Sequence, residues 1–473
     1  MSATAAPAAA SRVLVPWLER LARLTFAVLI VVLPFRARSP VLAMPPDAVS
    51  SVLVDLVIYA VDVLVVATLV PWFLARGLGR RRIDLGPLAL RLPALALIGL
   101  AWLTIPFGIE PGLSVVGAVR ITAGALLALY VLNEVEGLDA IAVPVAAMVS
   151  IQAVVGIAQV VGGGPIGLPA ILELPLDPSV PGTSVVTAAD GSRILRAYGL
   201  TPHPNVLGGF LACGLVILTA VSTRSRVARV ARAGVIALAA AALLVTFSRG
   251  AWLAGLAGLL VGLVIVATLA ASAGREAGRP VRRWLATAGL VLGVALAVGW
   301  LARDPIASRT LLGPAVVATE QRSIDERLEQ IRLGWRIVLE RPLTGAGASA
   351  LPLAMRQAEP DFGFTFYAPH LVALAVAGEL GVLGGLAYIA LMTAPWILLA
   401  RARRLWSVEL AGASAALAVL TVVSLFDDYP WVGGPGRTLA WFVLGLWAMA
   451  WTRAMRDPRA TAGPGAVADR ADG

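Results

Sequence analysis

The chain has 473 residues, 59% hydrophobic and 14% charged, with a mean hydropathy of +0.86. Apolar content on that scale excludes a sizeable soluble domain and places most of the ordered chain in one bundle of membrane-spanning helices. The net charge of +10 rests on 38 basic residues, all arginine; they gather in short segments between apolar runs, as topology signals do, and exclude a nucleic-acid-binding reading.

In chain order, apolar windows long enough to cross a bilayer fall near 21–35, 52–74, 88–107, 113–132, 140–161 and 205–222. The second half adds 233–247, 251–271, 284–301, 370–399, 407–426 and 437–452. The expectation is an all-α, polytopic membrane protein of about 12 transmembrane helices. Its first apolar run lacks a small-residue cleavage site and reads as an anchor. Residues 1–20 then form a cytoplasmic N-terminal segment, 21–456 the transmembrane bundle and 457–473 a disordered cytoplasmic tail. The single cysteine, Cys213, sits in an apolar run and is silent about redox compartment.

Arginine clusters at 76–82, 224–232, 275–283 and 401–404, with those near both termini, all fall on one side under this count. By the positive-inside rule that side is the cytoplasm, and the protein belongs in the inner membrane with both termini inside. The outer side receives two long loops, about 162–204 and 302–369, together with 427–436 and the short turn "SRG" at 248–250. Loops of that length are uncommon unless functional. Arg249 in "TFSRGAW" therefore stands at the outer membrane boundary, where Gly250 would ease a tight turn.

In the larger loop, "SIDERLEQIRLGWRIVLERP" at 323–342 reads as an amphipathic helix. Ser323 and Glu326 have capping-box spacing, and Ile324, Leu328, Ile331, Trp335 and Val338 form one apolar stripe. Arg327 borders that stripe, while Arg332 and Arg336 lie on the opposite flank. Arginine suits diphosphates because its planar fork donates two parallel, charge-assisted hydrogen bonds. The two histidines, His203 and His370, each follow a proline at the outer mouth of a predicted span. Asp55 and Asp62 share a helix face and read as packing partners; Asp427 and Asp428 read as a solvated turn, and Glu379 as structural.

The fragments "RAYGLTPHPN", "SRGAWLAGLAGLL", "RLEQI" followed by "RPLTGAGASAL", and "PHLVALAVAGELGVLGG" resemble, in this order, the signatures of the O-antigen ligase and polymerase superfamily of bacterial membrane glycosyltransferases. Two positions depart from the family pattern: Leu371 stands where Asn usually follows the histidine, and Ile331 where a tryptophan usually follows the loop arginine. The resemblance implies metal-independent, cofactor-free, inverting transfer of a glycan from an undecaprenyl-diphosphate carrier at the outer leaflet. The acceptor would be a glycan, a lipid or a protein, in contact with membrane lipids. By the same resemblance Arg249, Arg327 and His370 are the catalytic candidates, with Arg196, His203 and Asn205 beside them; Arg332 is a further substrate-binding candidate. A transporter or flippase is the competing class, but it would concentrate its charges at the bilayer midplane. A peptidoglycan-type polymerase would place an essential carboxylate in the large loop, with Asp325 as the candidate.

Overall fold

A computed structural model describes residues 5–42, 56–171, 173–188, 191–223, 225–273, 278–301, 303 and 314–456. The tail 457–473, residues 304–313 of the large loop and Asp55 lie outside the described residues.

The described residues form α1 (Ala5–Val32), α2 (Ala60–Leu78), α3 (Leu88–Leu103), α4 (Pro111–Glu134), α5 (Ala142–Gly162), α6 (Pro204–Ala220) and α7 (Arg226–Val245). They continue as α8 (Arg249–Ala273), α9 (Gly278–Leu301), α10 (Pro314–Glu340), α11 (Leu351–Ala358), α12 (Val372–Arg401), α13 (Val408–Phe426) and α14 (Gly434–Arg456). Every predicted span is thus met by a helix. Among the described residues eight helices are long and apolar enough to cross a membrane, and α3 and α6 are shorter apolar helices. α1 begins at Ala5, well before the apolar window at 21, so most of the expected N-terminal segment is helical.

Local chemistry sets several starts. Pro111 and Pro204 open α4 and α6, where a missing N–H costs nothing. Ser225 and Ser407 accept hydrogen bonds from Ala228 and Leu410 at the starts of α7 and α13. α6, α14 and α13 are largely enclosed helices. Small residues allow this: a Cβ on Gly258 of α8 would lie 2.8 Å from the carbonyl oxygen of Ala415 on α13.

The helix ends sort into two polar layers. At one end, Trp72 and Arg76 bond Glu134, Arg456 bonds Asp84, Arg453 pairs with Glu409, and Asp139 accepts from the Ser222 amide. At the other end, Asp62 pairs with Arg120, Asn205 bonds Asp427, and Gln330 bonds His370. Consecutive spans alternate between these layers, as a serpentine bundle requires.

The fold is not purely helical. β1 (Arg38–Leu42) pairs antiparallel with β2 (Leu56–Tyr59), and β3 (Val185–Thr187) with β4 (Arg193–Leu195). The second span was expected from residue 52, but "LVIY" is β-branched and aromatic and finds a partner strand, so α2 starts at Ala60. Within α12, Gly381 is non-helical at φ +75°, ψ 177°. The break frees the carbonyls of Gly378 and Glu379, which accept from Ala346 and Gly347, while the Val382 amide donates to Pro342. The segment "PLTGAGA" is thereby built into the broken helix.

α10 differs from the sequence expectation in its start. It starts at Pro314, so Ser323 and Glu326 lie inside it and form no capping box. Its buried face is Gln330, Leu333, Gly334, Ile337 and Val338, whereas Ile324, Leu328 and Trp335 of the expected stripe are exposed. The physical cause is Gly334: a Cβ there would come within 2.5 Å of Pro369, so the glycine draws that face against residues 369–374. At 3.6 residues per turn Arg327 shares this inward face with Gln330 and Gly334.

Candidate functional site: an arginine–histidine chamber at one end of the bundle

Two buried amides on α5 hold the segment that precedes α6. Gln159 Oε1 accepts from the Gly199 amide at 2.8 Å, and Gln152 Oε1 from the Leu200 amide at 2.8 Å. Gly199 has φ +58°, and a Cβ on it would lie 2.5 Å from Gln152 Oε1, so this turn requires glycine. Arg196, 6% exposed, donates from Nε to the Thr246 carbonyl at 2.7 Å and from Nη2 to Asn205 Oδ1 at 2.8 Å. Asn205 Nδ2 in turn donates to Asp427 Oδ2 at 2.9 Å. Arg196, Asn205 and Asp427 thus form a chain across three parts of the sequence.

His203 is the N-cap of α6. Its Nδ1 accepts from the Asn205 amide at 3.2 Å, so Nδ1 carries no proton and Nε2–H donates to Ser184 Oγ at 2.9 Å. Burial, and then the Arg196 guanidinium, lower its pKa to about 3. The imidazole is neutral with both nitrogens engaged, which suits a positioning role.

Arg249 is the first residue of α8. The turn that delivers it is carried not by Gly250, where an added Cβ makes only ordinary contact with Phe426, but by Phe247 at φ +49°. A bulky residue in that region is strained, and here the ring is 1% exposed, held by its packing. A cation at a helix N-terminus also opposes the helix dipole by about 0.3–1 kcal/mol. Both costs fall on the turn that sets Arg249 at the chamber, and the free amides of a helix start favour anions.

His370 stands just before α12. Gln330 presents its amino group to two acceptors, the Thr365 carbonyl at 3.2 Å and Glu326 Oε1 at 3.5 Å. Its Oε1 must then face His370 Nδ1, 3.1 Å away, and Nδ1 carries the proton. Nε2 is left as the basic nitrogen. Burial lowers the His370 pKa, the Asp427 carboxylate raises it in part, and Arg327 lowers it further. The ring is therefore neutral at pH 7 and competent to accept a proton.

Asp427 and Asp428 are not a solvated turn. With His370 they form a cluster whose nearest ligand atoms lie within 4.8 Å of one another, a spacing open to a cation as well as to shared protons. Burial, and then the neighbouring Asp427, push the Asp428 carboxyl well above the usual carboxylate range.

These side chains share one cavity of about 550 Å³, lined by Arg196, His203, Asn205, Arg249, Arg327, His370 and Asp427. A second cavity of about 510 Å³, with Arg36, Arg38 and Arg120, shares with it His203, Asn205, Tyr367, His370, Asp427 and Tyr429. The two chambers meet at His370 and Asp427. Arg332 is not brought here: its guanidinium is exposed and held by Glu329 and Glu359. Sequence reasoning missed Gln330, whose only signal was its place three residues after Arg327 on one helix face, and undervalued Asp427, which reaches the site only through the fold.

Bundle and chambers together define a multi-pass membrane protein with a histidine flanked by arginines in a cavity at one end. Residues 233–389, about a third of the chain, match the family model described as O-antigen ligase, which supports the O-antigen ligase superfamily for that segment. The match runs from α7 into α12 and includes Arg249, Arg327 and His370, but neither the 196–205 segment nor Asp427. No curated protein matched the chain. That match supports, in general terms, a membrane glycosyltransferase-type enzyme acting on a lipid-linked glycan and an acceptor.

Proposed function

We propose that the protein transfers a glycan from an undecaprenyl-diphosphate carrier to an acceptor hydroxyl, with inversion and without a metal, at the extracytoplasmic face of the inner membrane. The observation that carries this reading is the meeting of two chambers at His370, one of them bearing Arg249 and Arg327. The donor diphosphate occupies the chamber of Arg249 and Arg327; the acceptor occupies the other. The acceptor oxygen attacks the anomeric carbon as its proton passes to His370 Nε2. The bond from that carbon to the diphosphate oxygen breaks, and the oxygen leaves with the electron pair. Charge grows on the leaving group, and arginines already aimed at it lower the barrier. Attack from the opposite chamber is in line with departure, which inverts the anomeric centre.

Arg196, Asn205 and His203 act by position, fixing Asp427 and the start of α6. The arginines at the end of the bundle opposite the chambers support this orientation, with both termini in the cytoplasm. The test is transfer by the purified protein in proteoliposomes from an undecaprenyl-diphosphate glycan, with and without chelator. Undiminished transfer in chelator is expected. Loss of transfer that is restored by adding a divalent cation would replace the metal-free mechanism with one using the His370, Asp427 and Asp428 cluster.

A further inference from the structure

A cavity of about 1120 Å³ lies at the end of the bundle opposite the chambers, and the proposed reaction does not use it. The N-terminal turns of α7 and α9 form its walls, and Arg229, Arg232, Arg279, Arg282, Arg283 and Arg453 line it. Its acids are Glu136, Asp139 and Glu409. Among the described residues they are fewer than the arginines: Glu409 pairs with Arg453 and accepts from the Leu138 amide, while Asp139 accepts from the Ser222 amide and also attracts Arg232 and Arg283.

The two innermost arginines are the informative ones. Arg232 and Arg283 both donate Nη1 to one carbonyl, that of Val221, so two guanidinium groups lie side by side. Neither is within ion-pair distance of a carboxylate among the described residues. Their Nε atoms, and Thr223 Oγ1 beside them, are buried without a hydrogen-bond partner, and these are three of the six such side-chain atoms in the described residues. Two cations converging at one cavity attract a multivalent oxyanion. A topology signal would be met by scattered, solvated arginines and does not require this convergence. Ala286 and Leu290 of α9 continue the wall away from the arginines, and α9 turns Leu285, Leu292 and Leu296 outward. A phosphate seated on the arginines would thus have apolar surface beside it for chains.

We infer that this cavity binds a phosphate group, carried by the headgroup of an anionic lipid in the leaflet opposite the catalytic chambers. The proposal is independent of the transfer reaction.

It is tested on the full chain in mixed micelles by thermal unfolding and native mass spectrometry. The additives are phosphatidylglycerol, phosphatidylcholine and inorganic phosphate. Phosphatidylglycerol is expected to raise Tm saturably by several degrees and to remain bound in the mass spectrum, with phosphatidylcholine inert. The double variant Arg232→Gln/Arg283→Gln should lose at least three quarters of that shift; Arg401→Gln/Arg404→Gln, which removes equal charge at the same end but outside the cavity, should keep it. If the inner pair does not fold, the exposed rim pair Arg279→Gln/Arg282→Gln should at least halve the shift. A full response to inorganic phosphate alone would overturn the lipid and leave a soluble phosphate ligand. Equal losses in cavity and control variants, or no shift with any additive, would overturn the site.

Discussion

Replacing Gln330 by Glu probes the proton-accepting role of His370 without touching a group that contacts substrate. In the wild type Gln330 Oε1 lies 3.1 Å from His370 Nδ1. A carboxylate at that place puts opposite charges roughly 4 Å apart, worth about 4 kcal/mol at an effective dielectric of 20. That corresponds to about 3 pH units, and the cost of burying the new carboxylate reduces it, so the His370 pKa should rise by about 1–3 units. Because the base must be neutral to act, the acidic limb of the kcat/KM profile moves up in pH by the same amount. Below the new pKa, His370 is protonated and transfer falls about tenfold per pH unit. The substitution also leaves the Thr365 carbonyl without its donor, which costs about 1–3 kcal/mol of stability, so Tm is followed alongside. The assay is initial transfer rate in proteoliposomes from pH 5 to 9. A profile whose acidic limb coincides with that of the wild type, in a folded variant, would refute the assignment of His370 as the titrating base.

Three further outcomes follow from the geometry. His203 has a pKa lowered from 6.5 to about 3, so the unfolded chain takes up its proton first and stability falls as pH drops below 6.5. About 2 kcal/mol should be lost between pH 6.5 and 5; His203→Asn keeps a capping oxygen and should flatten the decline in Tm, and an unchanged slope would contradict it. Arg327→Ala should lower kcat/KM by about 10²–10³, whereas Arg332→Ala, outside the cavity, should stay within about threefold of wild type; equal losses would misplace the site. Gly334→Ala puts a Cβ 2.5 Å from Pro369 and should shift His370, costing about 1–3 kcal/mol in stability with reduced kcat; wild-type unfolding and rate would show that α10 can give way.

The helices were legible because a bilayer demands long apolar runs, and the arginine rhythm marked which ends gather together. What was not legible depends on contacts made across the chain. β2 is apolar enough to read as the start of a span and becomes a strand only because residues 38–42 lie beside it. The inward face of α10 is chosen by Gly334 against Pro369, which the apolar stripe does not mark. Arg249, Arg327 and His370 could be named from local fragments. Asp427 could not, since its meaning comes from Asn205, 222 residues earlier in the chain, and from His370 beside it. The strained Phe247 likewise stood in the shadow of the glycine three residues on.

In the proposed function His370 and the arginine chamber perform one inverting transfer. The most direct measurement is transfer by wild type and by His370→Ala from an undecaprenyl-diphosphate glycan of defined anomeric configuration, with the new linkage read by NMR. An inverted linkage is expected in the wild-type product, with a loss of about 10²–10⁴ in rate for a properly folded His370→Ala. A retained configuration, or full activity in the variant, would contradict it.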